Sequence, residues 1–225
     1  LWLIGRTIMD RLESEFEDSI IAGDPAIADS GRNSAMPNLS SLPSGTPEGL
    51  RSLQQLDLAY DTDTEALWTF MRPSGRPSFT PPMLGDFEEW QRGITEGFGP
   101  GGIPLKFLVL GSRAPNVFCY GGDLALFRKL ILEGNRDGLV EYGTRCCEIL
   151  HRNIETLDLP LLTVGLVQGA ALGGGFEALL SFDYVIAERS ATFGLPEIMF
   201  GLFPGMGAHA LLSRQLGSAM ADRLI

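Results

Sequence analysis

An α/β fold built on parallel strands is what this sequence predicts, and three observations lead there. Short apolar runs, several of them ending in glycine, alternate along the chain with longer segments of helical period. Their order of strand, helix, strand, helix, strand calls for right-handed crossovers between parallel neighbours. A hydrophobic content of 44% in 225 residues is ample for a core.

Taken in order, the elements begin with an ambiguous stretch. TIMDRLESEFEDSII places Ile8, Leu12, Phe16 and Ile20 at roughly helical spacing, which fits a short amphipathic helix or a frayed tail equally well. Residues 23–49 crowd Gly, Pro and small polar residues together and read as a linker or disordered arm. Residues 1–49 are therefore expected to form a flexible acidic arm, and 50–225 the folded domain. LDLAYD and EALWTFM have the pattern of a hairpin around a turn at Asp61 to Thr64, and Met83 to Ile94 has helical period. KFLVLGS is a buried-strand run, Asp123 to Leu132 and Leu139 to Asn153 are helical in period, and LLTVGLVQG is again a strand. A helix is expected to begin near Phe176 after the glycine run, and DYVIAE returns to strand. The chain starts at Leu1 rather than Met and stops at Ile225 inside HALLSRQLGSAMADRLI, a helical stretch with no terminator. A fragment of a longer polypeptide is the expectation.

Charge and composition narrow the function classes. Acidic residues outnumber basic ones 28 to 17, for a net charge of −11, and no basic patch stands out, which argues against a surface held by nucleic-acid phosphates. The longest apolar stretch, Leu159 to Leu180, is interrupted by Gln168, five glycines and Glu177, so it makes a poor membrane span. The first residues lack a basic flank and cleavage site, and a cytoplasmic location is expected. Cys119, Cys146 and Cys147 are odd in number and have only His151 and His209 beside them in the sequence, so structural cysteines are expected and neither a disulfide framework nor a metal site.

The chemistry concentrates in GAALGGGFEALL. Three glycines after a buried strand let the backbone approach a ligand and turn its N–H groups outward, and the following helix adds the positive end of its dipole. The spacing matches neither GxGxxG nor GxxxxGK[ST], so a nucleotide is a weak reading. Glu177 sits two residues beyond the last glycine. A carboxylate beside oxyanion-binding amides suits proton transfer next to a carbonyl. A second carboxylate, Glu197, follows Pro196 in FGLPEIMFGLFPGMGAH, where burial would favour its protonated form. It also fits a plainer role in the first turn of a helix behind Pro196. Upstream, Tyr120-Gly121-Gly122-Asp123 ends a loop and starts a helix, with Asp123 as a cap and the Tyr120 N–H placed as a second oxyanion donor.

With these residues in view the chain resembles the crotonase (enoyl-CoA hydratase/isomerase) superfamily, whose hallmark is GGGxE after a strand and a second Glu about twenty residues on. Within it the chain is most similar to the diffusible signal factor synthases, through SGRPSF, GGDLALF, EGNRDGLVEYGTRC, VQGAALGGGFEALLS and GLPEIMFGLFPGMGA. The resemblance runs from about Leu56 to Ile225. It implies a crotonase-like spiral of ββα units with its C-terminal helical part truncated, and a site for acyl thioesters carried on acyl carrier protein or CoA, with no other cofactor. Glu177 and Glu197 match the two catalytic glutamates, and the N–H groups of Tyr120 and Gly174 match the oxyanion hole. The implied reaction is dehydration of a 3-hydroxyacyl thioester to a cis-2-enoyl chain and release of the free fatty acid as a signal. An enoyl-CoA hydratase or isomerase of fatty-acid oxidation, or an inactive remnant, are the alternatives. Phe176, Met199, Phe200, Leu202 and Phe203 are candidates for the wall of an acyl tunnel, or simply for core. Tyr120 is bulkier than the residue the family pattern leads one to expect. The helices that close the family's site and build a homotrimer are absent after Ile225, so weak or no activity is expected of these 225 residues.

Overall fold

The computed structural model describes residues 41–225. The helical stretch expected around Ile8 to Ile20, and most of the 23–49 arm, lie outside them. At the expected boundary the chain is packed: Leu50, in the one-turn helix α1 (Glu48–Arg51), is buried against α2 (Pro81–Gly97). A side chain at Gly93 would fall 2.6 Å from Leu50, and one at Gly97 would fall 2.4 Å from Pro47. Pro47, just before the expected boundary, is thus in contact with α2.

Two sheets organise the chain. The larger has the order β1 (Leu56–Asp61), β2 (Ala66–Met71), β3 (Phe107–Ser112), β5 (Leu162–Val167) and β7 (Tyr184–Ala187), and the smaller has β4 (Val117–Cys119), β6 (Ala170–Leu172) and β8 (Thr192–Gly194). The β1–β2 hairpin is antiparallel, with Leu56 opposite Met71, and every other pairing is parallel. Each successive strand pair, β3–β4, β5–β6 and β7–β8, puts its first strand in the large sheet and its second in the small one. Helical segments then carry the chain back: α3 (Leu124–Leu132) and α4 (Arg136–Ile154) after the first pair, and α5 (Gly174–Leu179) after the second. A 3-10 turn (Glu197–Phe200) and α6 (Ala208–Leu216) follow the third. This is the spiral of ββα units.

The small sheet is the part the sequence reading missed. Its strands are three residues each, too short to show a period of two. HALLSRQLGSAMADRLI also differs from expectation: it is two helices, α6 and α7 (Ser218–Leu224), separated by Gly217 at φ 83° and ψ 153°, a conformation open to glycine.

The core lies between the large sheet and α2. Thr80 caps that helix by accepting from the Met83 N–H, and prolines fill its first two positions, where no intrahelical donor is needed. Met83, Leu84, Phe87, Trp90 and Ile94 point inward, each contributing roughly 1.5–3 kcal/mol by leaving water. Buried Trp90 keeps a partner, its indole N–H donating to Thr69 Oγ1 at 2.9 Å. Among the described residues no helix is long and apolar enough to cross a membrane.

Candidate active site

Because β4, β6 and β8 are parallel neighbours, their C-terminal ends lie side by side, and each delivers one piece of the candidate site. After β4 the chain runs through Tyr120–Gly122 into α3, with Asp123 capping by accepting from the Leu126 N–H at 3.1 Å. After β6, the central strand, it runs through Gly173 into α5, which carries Glu177 in its first turn. After β8 it reaches Pro196 and Glu197. The open end of a parallel sheet is where ligands bind in α/β proteins generally.

Glu177 is 2% exposed. Its Oε1 accepts from the Met206 N–H at 2.8 Å and the Ala208 N–H at 3.2 Å. Ala208 opens α6, so this buried carboxylate sits at the N-terminus of a nine-residue helix, whose first amides lack internal partners. Burial is the larger effect and raises its proton affinity above the ordinary carboxylate value, with the neighbouring charge of Glu197 adding to the rise and the two amides opposing it. Met206 and Ala208 were not anticipated as partners. The signal was present in GMGA, a glycine turn running into a helix.

Glu197 is half-buried at the first position of the 3-10 turn behind Pro196, so the plainer reading of its place is correct as far as it goes. Its Oε2 is nonetheless buried with no hydrogen-bond partner among the described residues, and burial raises its proton affinity too. The carboxyl lies against Gly173: a Cβ there would stand 2.7 Å from Glu197 Oε1, and Gly173 is at φ 54°. A side chain at this position would collide with the second carboxyl and strain the backbone at once.

The Gly174 N–H has no acceptor among the described residues, as befits the first residue of α5. The Tyr120 N–H differs from expectation, since it donates to the Pro77 carbonyl at 2.8 Å and is not presented to the site. The cause is pairing of the SGRPSF segment with the β4 end, where the Phe79 N–H also donates to the Gly121 carbonyl at 2.8 Å. The Gly122 N–H, which sequence reasoning passed over, has no acceptor among the described residues and stands 3.6 Å from where a Gly174 Cβ would be. Tyr142 fixes this edge. Its hydroxyl donates to the Phe79 carbonyl at 2.5 Å and accepts from the Asp123 N–H at 3.2 Å.

Glu177, Glu197, Gly174, Gly122 and Tyr120 all border one cavity of about 830 Å³, a size suited to a small-molecule ligand. Phe200, Leu202 and Phe203 line it as expected, and α3 and α4 supply the facing wall. Phe176 does not: it turns away from Glu177 and packs on Phe193, with centroids 5.4 Å apart. Met199, 79% exposed, does not line it either. Burial pushes the Cys119 and Cys146 thiols up to about 12, which keeps them protonated and fits packing roles. Cys147 is exposed and lines the cavity.

Comparison with known proteins points the same way as the geometry. The profile of the enoyl-CoA hydratase/isomerase family matches residues 104–225. The "Fatty acid oxidation complex subunit alpha" of Idiomarina loihiensis is 39% identical over 110 residues, covering 48% of this chain and 14% of that protein. "Probable enoyl-CoA hydratase 2, mitochondrial" of Arabidopsis thaliana is 34% identical over 120 residues, covering 53% and 38%. The chain thus spans well under half the length of these relatives. The solved structure of Pseudomonas aeruginosa DspI superposes with a TM-score of 0.64 at 23% identity, covering 76% of this chain and 65% of that one, a likeness of fold alone.

Proposed function

The chain belongs to the enoyl-CoA hydratase/isomerase family, and from there we propose that its cavity binds an acyl thioester and that Glu177 and Glu197 move protons on the carbons beside the thioester carbonyl. The observation that carries this reading is the meeting, on one largely apolar cavity, of two carboxyls of raised proton affinity with the partnerless Gly174 N–H. Carboxyls whose proton affinity is raised above the ordinary value are better bases than an exposed carboxylate and more readily hold a proton to give, and an amide aimed at the carbonyl oxygen stabilises the enolate that forms when the α-proton leaves. Gly122 is the second donor suggested by its position.

The finer reaction follows the resemblance to the diffusible signal factor synthases. One glutamate takes the α-proton of a 3-hydroxyacyl thioester while the other protonates the β-hydroxyl, which leaves as water, so a cis-2-enoyl thioester remains. A water then adds to the carbonyl carbon and the carbon–sulfur bond breaks, the sulfur leaving with a proton as the carrier thiol and the acyl group as the free acid. The carrier is acyl carrier protein or CoA. A second reading, reversible hydration of enoyl-CoA, is favoured by the names of the Idiomarina and Arabidopsis relatives.

Supplying 3-hydroxydodecanoyl thioesters of both carriers and following products by mass spectrometry separates them. Free 2-enoic acid, lost on Glu177→Gln, supports the synthase-type reaction. Reversible hydration alone, fastest with CoA, supports the second reading. No turnover by the wild-type chain refutes both for these 225 residues.

A further inference from the structure

Glycine is, after proline, the poorest helix former, so one kept inside a helix calls for a physical cause. Most of the helical glycines among the described residues have a cause within the fold. A Cβ at Gly49, Gly93, Gly97 or Gly175 would overlap a neighbour at under 3.0 Å, one at Gly138 or Gly174 would be tight at 3.1 or 3.2 Å, and one at Gly85 would touch Arg145 at 3.8 Å. The contact at Gly85 is an ordinary one, so it and Gly143, in the middle of α4, are the two without such a cause; among the described residues a Cβ at Gly143 would meet nothing within 4 Å, and of the two only Gly143 lines the cavity. The space it leaves open belongs to the cavity. Leu139, Gly143, Cys147 and His151, spaced four apart and so on one face of α4, all line it. Gly143 is the gap in that row, and Phe200, Leu202 and Phe203 line the same cavity with Glu177 and Glu197.

We propose that Gly143 determines acyl-chain specificity: the notch it leaves in the α4 wall admits the distal part of a long acyl chain whose thioester lies at Glu177 and Glu197. This rests on the reading that the cavity receives an acyl thioester. The apolar character of the neighbouring wall fits an alkyl chain, and a missing side chain on a helix is a rigid opening, since the helix backbone does not close over it. A side chain larger than methyl at this position fills space that the chain occupies, and overfilling a packed apolar site is unfavourable.

The test compares Gly143→Ala and Gly143→Leu with the wild-type chain on 3-hydroxybutanoyl and 3-hydroxydodecanoyl thioesters. The thermal midpoint of Gly143→Ala rises by roughly 2–4 °C, because the methyl meets nothing and the helix gains propensity. In Gly143→Leu the ratio of 3-hydroxydodecanoyl to 3-hydroxybutanoyl kcat/KM falls about tenfold or more. An unchanged ratio, or equal loss for both lengths, overturns the inference, and so does a destabilised alanine variant, which would mean that the fold itself requires the glycine. If the wild-type chain turns over neither ester, the functional reading fails separately. The same ratio is then read from calorimetric binding of butanoyl- and dodecanoyl-CoA, and equal affinity changes, or no binding of either, overturn the notch.

Discussion

Replacing Gly121 by alanine probes the junction on which the candidate site depends, and the structure supplies a matched control. Gly121 sits at φ 81°, and an added Cβ would stand 2.5 Å from the Gly174 nitrogen, 3.0 Å from its Cα and 3.0 Å from the Leu172 carbonyl oxygen. All three are backbone atoms, so the turn between β6 and α5 has to move. Gly201 is also in the left-handed region, at φ 71°, but a Cβ there meets nothing within 4 Å. Gly201→Ala therefore carries only the strain of positive φ, less the entropy removed from the unfolded chain, for about 1 kcal/mol net. Gly121→Ala carries that and a backbone overlap costing about 2 kcal/mol more. Thermal unfolding should show midpoints lowered by roughly 2–4 °C for the control and 6–12 °C for Gly121→Ala. Thioester turnover should fall by about 10²-fold in Gly121→Ala, the usual cost of displacing one oxyanion donor. Equal midpoints for the two variants, or full turnover in Gly121→Ala, would refute the packing of the β4 end against the Gly174 amide.

Two further outcomes follow from the same geometry. Burial raises the Glu177 proton affinity in the folded chain, so between the unfolded carboxyl pKa of about 4.3 and the higher folded value the native state holds more protons and its stability falls as pH rises. The midpoint of Glu177→Gln relative to wild type should accordingly climb from pH 4 to pH 8, and a flat or descending difference contradicts the sign. Tyr142→Phe keeps the ring against Phe127, 4.9 Å between centroids, but strips the Phe79 carbonyl and the Asp123 N–H of their shared partner. A loss of about 2 kcal/mol in denaturant unfolding at unchanged m is expected, and a loss under about 0.5 kcal/mol would show that the hydroxyl does not bridge them.

What the sequence made legible was whatever has a period or a motif. The hairpin, α2, α4 and the large-sheet strands announced themselves by spacing, and GGGFE together with Glu197 marked the polar half of the site. The small sheet stayed hidden because strands such as Ala170–Leu172 owe their existence to parallel neighbours distant in sequence. Its absence from the reading had consequences. Without β8 beside β6, nothing in the chain says that Phe193 takes the Phe176 ring away from the cavity. Likewise the Tyr120 N–H looks free in sequence, and only the pairing of Phe79 with Gly122 shows that Pro77 holds it. The partners of Glu177 come from a turn 29 and 31 residues downstream; GMGA marks their free amides, but no local pattern says which carboxylate they meet.

The central claim is that Glu177 and Glu197 move a proton on the carbon next to a thioester carbonyl. Exchange of the α-protons of a saturated acyl thioester in heavy water, followed by proton NMR, measures that step without requiring dehydration, hydration or hydrolysis. The account predicts protein-dependent loss of the α-proton signal with the wild-type chain and its abolition in the Glu177→Gln, Glu197→Gln double variant. Exchange that persists in the double variant, or no exchange when calorimetry shows the thioester bound, would contradict it.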